Sequence, residues 1–206
     1  MNKNLLIVFA KNIQHGKVKT RLAKSIGNDA AFEVYKHLVE ITEMNTEKLN
    51  DCDVHIYFSD MIIEHKWPGK RKFVQKGNDL GERMFHAFQN SFSQGYEKVM
   101  GIGTDLPDLD IGIMQQGFVA LNSNDVVFGP AEDGGYYLIG MSILHSFIFE
   151  NKAWSTPGLL KSTLQELNDE ERSVELLKTL NDVDTIEDLK TSTISKRFSH
   201  FFPIVA

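Results

Sequence analysis

Six short apolar runs, separated by segments of helical periodicity, set the strongest limit on what this chain can fold into. LLIVFA (5–10), DVHIYFS (53–59), KFVQ (72–75), KVMGIG (98–103), DVVFG (125–129) and YYLIGM (136–141) are rich in Val, Ile, Phe and Tyr and read as strands. Over 28–49, Phe32, Tyr35, Leu38, Val39, Thr42 and Thr46 recur at spacings of three and four, with Asn28 or Asp29 as the expected N-cap. Over 79–94, Asp79 and Glu82 have the offset of a capping box. Met84, Phe85, Phe88 and Phe92 form an apolar stripe there, and Gly95 ends it. Further helices are expected at 110–121, 156–168 and 185–191. Alternation of this kind predicts an α/β fold with a mostly parallel sheet and helices on both faces. With no repeat, linker or shift in composition, residues 1–206 read as a single domain. Ligands of such sheets bind beyond the carboxyl ends of the strands. That points to the loops at 11–27, 76–81, 104–109 and 130–135.

Charge narrows the search. The chain carries a net charge of -6, which disfavours nucleic acid and anionic membranes as partners. Of its 22 Lys and Arg residues, five (Lys11, Lys17, Lys19, Arg21 and Lys24) fall within 14 positions that hold no acid, leaving 17 against 28 acidic residues elsewhere. A small, strongly anionic ligand held in one place fits this asymmetry. No apolar run approaches the roughly 20 residues of a membrane span. One cysteine, Cys52, rules out an internal disulfide, and the N-terminus lacks a signal peptide's apolar length, so a cytoplasmic location is expected.

The motifs at the strand exits each admit a functional and a purely structural account. GKVKTRL (16–22) fails the G-x-x-x-x-G-K-[ST] pattern of a phosphate loop, because Val18 follows Lys17 and position 11 is Lys. A cation-rich loop leaving a first strand can still hold phosphates, with Arg as a planar fork and Lys as a mobile charge; otherwise it is a solvated basic loop. In GTDLPDL (103–109), Asp105 follows a strand and is either a metal carboxylate or a turn residue. In GPAEDGGYYLIG (129–140), Glu132 and Asp133 precede two glycines; hairpin-turn chemistry and a site wall are compatible there. In DVDTIEDL (182–189), Thr185 and Asp188 suit a helix start, which leaves Asp182 and Asp184 for a second metal carboxylate. The seven histidines show no metal-ligand spacing, and no G-x-S-x-G elbow is present.

Taken in order, FAKNIQHGKVKTRLAKSIG, QKGNDLGERM, GTDLPDL, GPAEDGGYYLIG, AWSTP and DVDTIEDL resemble the small bacterial GT-A-like glycosyltransferases, or nucleotide-diphospho-sugar transferases, from residue 7 to about 190. The first and last motifs are also similar to those of 2-phospho-lactate guanylyltransferase. The resemblance implies a nucleotide-diphospho-sugar transferase (GT-A, Rossmann-like) fold and a divalent ion, Mg²⁺ or Mn²⁺. Lys11, Lys19 and Arg21 would face the nucleotide phosphates, and Gln75 with the 77–81 loop, Gly81 included, would lie near the base. Asp105 and Asp184 would hold the metal; Ile186 stands where related sequences carry Pro, which leaves the choice between Asp182 and Asp184 open. The G-G-x-S-x-R-M-G loop of molybdenum-cofactor guanylyltransferases is absent.

The expected activity is transfer from a nucleotide-linked donor to a small-molecule acceptor. Glycosyl transfer is slightly favoured, with the metal stabilising the departing nucleoside diphosphate and Glu132 or Asp133 as base; in nucleotidyl transfer Lys19, Arg21 and the metal would neutralise the transition-state charge. Nucleotidyl transfer to a phosphorylated acceptor with release of pyrophosphate is the alternative, and a catalytically silent nucleotide-binding protein is a third.

Overall fold

A computed structural model of the chain describes residues 3–203. Seven strands form one sheet: β1 (Asn4–Ala10), β2 (Asp53–Phe58), β3 (Arg71–Val74), β4 (Lys98–Ile102), β5 (Val126–Pro130), β6 (Tyr136–Met141) and β7 (Val174–Leu176), in the spatial order β3-β2-β1-β4-β6-β5-β7. Every pairing is parallel except those of β6, which runs antiparallel to both β4 and β5. The sheet is therefore the mixed, mostly parallel one expected.

The helices are α1 (Thr20–Ile26), α2 (Asn28–Glu47), α3 (Leu80–Ser93), α4 (Ile111–Ala120), α5 (Leu159–Asp169), α6 (Ile186–Thr191) and α7 (Ser195–Phe198). Side chains of a strand alternate between faces, and β1 shows the consequence. Leu6, Val8 and Ala10 join Tyr35 and Val39 of α2 and Met114 and Phe118 of α4 in one core. Leu5 and Ile7 join Met84 and Phe88 of α3 and Leu160 and Leu167 of α5 in the other. A third cluster packs α1, α2, α6 and α7 together through Leu22, Leu38, Leu189 and Phe198. Among the described residues no helix is long and apolar enough to cross a membrane.

Two elements depart from expectation. Residues 11–27 are not wholly a loop, since they end in α1, a helix of 7 residues whose buried side chain is Leu22; so short an element shows no periodic stripe. Strand β7 carries no signal in the sequence because its three residues VEL lie at an edge and are mostly exposed. Capping differs too. Gly27, not Asn28 or Asp29, precedes α2. Asp79 does accept from the Glu82 amide at 2.8 Å, but the Glu82 carboxylate turns to the Asn78 amide, so the reciprocal half of the box is missing.

Candidate functional site

Three strand exits and one late segment of the chain converge at the carboxyl edge of the sheet. After β1, the Lys11 carbonyl accepts a hydrogen bond from the Tyr35 hydroxyl of α2 at 3.0 Å. The same hydroxyl lies 3.4 Å from Thr104 Oγ1, one residue before Asp105. Tyr35 thus ties the exits of β1 and β4 to one helix. The Asp105 carbonyl in turn accepts from the Val183 amide at 3.1 Å, which carries 182–184 to the end of β4. Thr185 caps α6 in a reciprocal capping box with Asp188, as its spacing predicts, so the Asp184 carboxylate is not used as a cap.

Lys19 stands at the centre. Its ammonium lies 2.8 Å from Asp105 Oδ1 and 3.0 Å from Asp184 Oδ1, with the side chain only 3% exposed. Burial pulls its pKa down, but the two carboxylates more than offset this and hold it above the usual lysine value. Asp105 shows the mirror effect: burial favours its protonation, yet the Lys19 charge, with Lys11 further off, keeps it below the usual carboxylate range. Asp105 Oδ1 is closed to solvent and in ionic contact with the Lys19 ammonium. Arg21 is 69% exposed and approaches Asp184 Oδ2 at 3.6 Å.

The backbone at Lys19 is left-handed, with φ 50 and ψ 45, a conformation that costs a non-glycine residue about 1–2 kcal/mol. Five non-glycine residues among those described have positive φ, and two of them, Lys19 and Ser155, line the same pocket. Strain gathered at one site marks a place where side-chain position is worth more than local backbone comfort.

That pocket, about 260 Å³, is walled by Lys11, Lys17, Lys19 and Arg21 with Asp105 and Asp184 between them. It adjoins a larger cleft of about 350 Å³, and Lys11, Asp105 and Ser155 border both. The cleft has apolar walls from Phe9, Met84, Tyr136 and Trp154, with Gln75, Asp133 and Asp182 among its polar groups. Gln75 sits at the end of β3, where its Nε2 donates to the Tyr57 carbonyl at 2.8 Å. Asp133 lies in the turn between β5 and β6 and accepts from the Gly135 amide at 2.8 Å.

Two expected site residues are not brought to the cleft. Glu132 is exposed and borders neither pocket; its amide donates to the Leu180 carbonyl at 3.1 Å, which fixes the turn with Asp133 on the cleft side. Gly81 is buried in the first turn of α3, where a Cβ would come within 2.3 Å of the Phe149 carbonyl oxygen and 2.9 Å of the Trp154 ring. Its smallness serves helix packing rather than a base. Gly81→Ala is therefore expected to destabilise the fold by roughly 1–3 kcal/mol, measured by denaturant unfolding; unchanged stability would return Gly81 to the ligand side. Gly134, with φ 88, likewise approaches protein, its missing Cβ leaving room for the Pro157 carbonyl.

The residues overlooked from sequence are Arg83, Tyr136, Trp154 and Ser155, all of which border the cleft. The AWSTP segment carries a signal, a tryptophan in a short polar stretch before proline, without showing which way it faces.

Asp182 adds an electrostatic feature. Burial, then the nearby Asp184, raise its pKa to about 6, with Asp133 and Asp105 adding to the effect and Lys19 opposing it. A carboxyl shifted upward stabilises the fold below its ordinary value near 3.8 and loses that contribution as pH rises through about 6. Asp182→Asn should therefore raise the melting temperature at pH values above about 6 and converge with the parent below about 4. Melting curves across that range check it; parallel profiles would refute it.

The model of the family described as "Uncharacterized protein conserved in bacteria (DUF2064)" matches residues 45–156. No curated protein matches the chain. A proposed nucleotide-diphospho-sugar transferase from Desulfovibrio desulfuricans G20 is 29% identical, with a TM-score of 0.87, over 98% of this chain and 99% of that one. The 4-diphosphocytidyl-2C-methyl-D-erythritol synthase of Anaerococcus prevotii DSM 20548 is 12% identical, with a TM-score of 0.59, over 95% and 100% of the two chains. Rv0371c of Mycobacterium tuberculosis H37Rv, in complex with manganese, is 11% identical, with a TM-score of 0.53, over 91% and 96%. At these identities the last two show the fold alone; the first, at a TM-score of 0.87, matches it to that of a proposed nucleotide-diphospho-sugar transferase.

Proposed function

The chain belongs to the DUF2064 family, and we propose that it is a metal-dependent transferase acting on a nucleotide-linked donor, with glycosyl transfer to a small acceptor as the reaction. One observation carries the reading: two carboxylates from distant segments, Asp105 and Asp184, meet a single ammonium inside a pocket of cations. A site of this kind suits a polyphosphate and the ion that accompanies it. The 29% identical relative, itself a proposed nucleotide-diphospho-sugar transferase, supports the choice of donor.

The residues fit a divalent ion. Asp105 and Asp184 each present an oxygen to one point, the place held by the Lys19 ammonium. No cluster of three or more His, Cys, Asp or Glu residues suited to a metal occurs among the described residues. Mg²⁺ or Mn²⁺ can be held by one or two carboxylates and completed by phosphate and water. A manganese complex of Rv0371c agrees with this choice of ion. When bound, the ion neutralises charge on the diphosphate leaving group. Lys11, Lys19 and Arg21 hold the remaining phosphate charge, while Gln75 borders the nucleoside. Asp133 takes the proton of the acceptor hydroxyl. The acceptor oxygen then bonds to the anomeric carbon as the bond from that carbon to the diphosphate oxygen breaks, and the nucleoside diphosphate departs.

Nucleotidyl transfer is the second reading, favoured by the four cations around the smaller pocket, enough to suit a triphosphate. A thermal-shift screen of nucleoside triphosphates and nucleotide sugars with Mn²⁺, followed by product analysis, separates the cases. A ligand at about 100 times its dissociation constant adds about 2.7 kcal/mol of stability. Release of nucleoside diphosphate supports the glycosyl reaction and pyrophosphate the nucleotidyl one. Binding without turnover leaves a nucleotide-binding protein.

A further inference from the structure

The two pockets differ sharply in charge, and the difference bears on the acceptor. The wall of the larger cleft away from Gln75 is built by the 131–137 turn and the 154–159 loop, with Asp182 beside them. These two segments are held against each other: the Leu160 amide donates to the Gly134 carbonyl at 3.0 Å, and Gly134 abuts Pro157. Neither contains a Lys, Arg or His. Lys152, the cation next along the chain, is 2% exposed and paired with Glu166, so it is not available to a ligand. The carboxylates of Asp133 and Asp182 border this wall; Lys11 and Arg83 also border the cleft, and Arg83 Nε donates to the Gly77 carbonyl at 3.1 Å, two residues after Gln75.

The rest of the wall is aromatic or hydroxylated. Trp154, Tyr136 and Tyr137 border the cleft together with Ser155 and Thr156. The Tyr136 hydroxyl is shut off from solvent and has no hydrogen-bond partner in the protein. Ionised carboxylates only accept hydrogen bonds, so Asp133 and Asp182 call for donors. A phosphate brought between them would meet like charge, with no Lys, Arg or His in either wall segment to offset it, which selects against it. Aromatic faces take the C–H side of a ring.

Resting on the transferase reading above, we infer that the acceptor is a neutral polyhydroxylated ring compound, a sugar or cyclic polyol without phosphate, seated on the Trp154 side of the cleft with hydroxyls toward Asp133. Its apolar face lies on the aromatic wall and its vicinal hydroxyls donate to carboxylate. The separation of charge has a physical logic: phosphates are drawn to the Lys19 pocket, and the acceptor end repels them. Donor and acceptor are thereby kept from exchanging places.

The test uses the full chain with Mn²⁺ and the nucleotide that stabilises it best. Ligand-observed NMR titrations compare matched pairs, each a neutral compound and its own phosphate monoester: glucose and glucose phosphate, inositol and inositol phosphate, glycerol and glycerol phosphate. At least one neutral ring member should bind about tenfold or more tighter than its ester, glycerol being the weakest neutral member for want of a ring. Asp133→Asn keeps the acceptor for the Gly135 amide but removes the charge, so it should shrink that preference. Esters that bind as well as or better than the neutral partners overturn the inference. So does a protein that binds nucleotide and no neutral compound. Failure to bind any nucleotide is a different result, and it removes the transferase reading itself.

Discussion

Replacing Lys19 with Gln is expected to move two affinities in opposite directions. Triphosphate or nucleotide-sugar binding should weaken about ten- to a hundredfold, the loss of one charge-assisted contact worth roughly 1.5–3 kcal/mol. Mn²⁺ alone should bind more tightly, because the ammonium 2.8 and 3.0 Å from Asp105 and Asp184 no longer competes with it. In the parent, the ion must draw the carboxylates away from Lys19, and the phosphates give the lysine a new partner. Metal and nucleotide should accordingly favour each other's binding, by linkage. The substitution also leaves two carboxylates without their main counter-charge. A fully buried pair broken in this way costs about 3–5 kcal/mol. Side-chain exposures of 28% for Asp105 and 39% for Asp184 put the cost here well below that. Electron paramagnetic resonance titration of Mn²⁺, with and without nucleotide, reads both affinities on folded protein. If the Lys19→Gln variant binds metal and nucleotide as the parent does, Lys19 is a structural lysine and the phosphate assignment falls.

How much of this could be read along the chain depends on the range over which each feature is determined. β1 and β4 are legible because short apolar runs such as LLIVFA, bounded by polar residues and containing Ile and Val, suit a strand covered on both faces. The Thr185–Asp188 cap is legible because both partners lie within one helical turn. The cation asymmetry of 11–24 also survives into the structure, as the wall of a pocket. What escapes is whatever depends on tertiary contact. The meeting of Lys19 with Asp184 spans 165 positions and depends on tertiary contacts, among them the backbone bond from Val183 to Asp105 and the packing of α6 against α1 and α2. Neither Gly81 nor Gly134 reveals in sequence whether its open side faces ligand or protein, and both face protein. Glu132 and Asp133 are equivalent as a dipeptide, and the pairing of Glu132 with Leu180 separates them. The role of Trp154 stays hidden because a lone aromatic residue has no periodicity to reveal its direction.

Asp105→Asn and Asp184→Asn should both abolish most Mn²⁺ binding, yet they should differ in their effect on the fold. Loss of groups that merely support a ligand costs about 10–100-fold in metal affinity, so losing a ligand should cost at least about a hundredfold. Asp105 is the more demanding site. It faces an ammonium that is 3% exposed, and neutralising it leaves that charge to Asp184 alone. Its depressed pKa gives the sign of the pH effect: the ionised form stabilises the fold above the ordinary carboxylate range, and this is lost as pH falls through the lowered folded-state value. Asp105→Asn should therefore lower the melting temperature at neutral pH and flatten the acid limb of the stability profile. Asp184 is the more exposed of the two carboxylates, so Asp184→Asn should leave melting closer to the parent while still losing the ion. Comparing Mn²⁺ titrations with melting curves for the two variants separates ligation from packing. Undiminished Mn²⁺ affinity in both variants would place the metal elsewhere, and the pocket would then be a phosphate site that uses Lys19 without an ion.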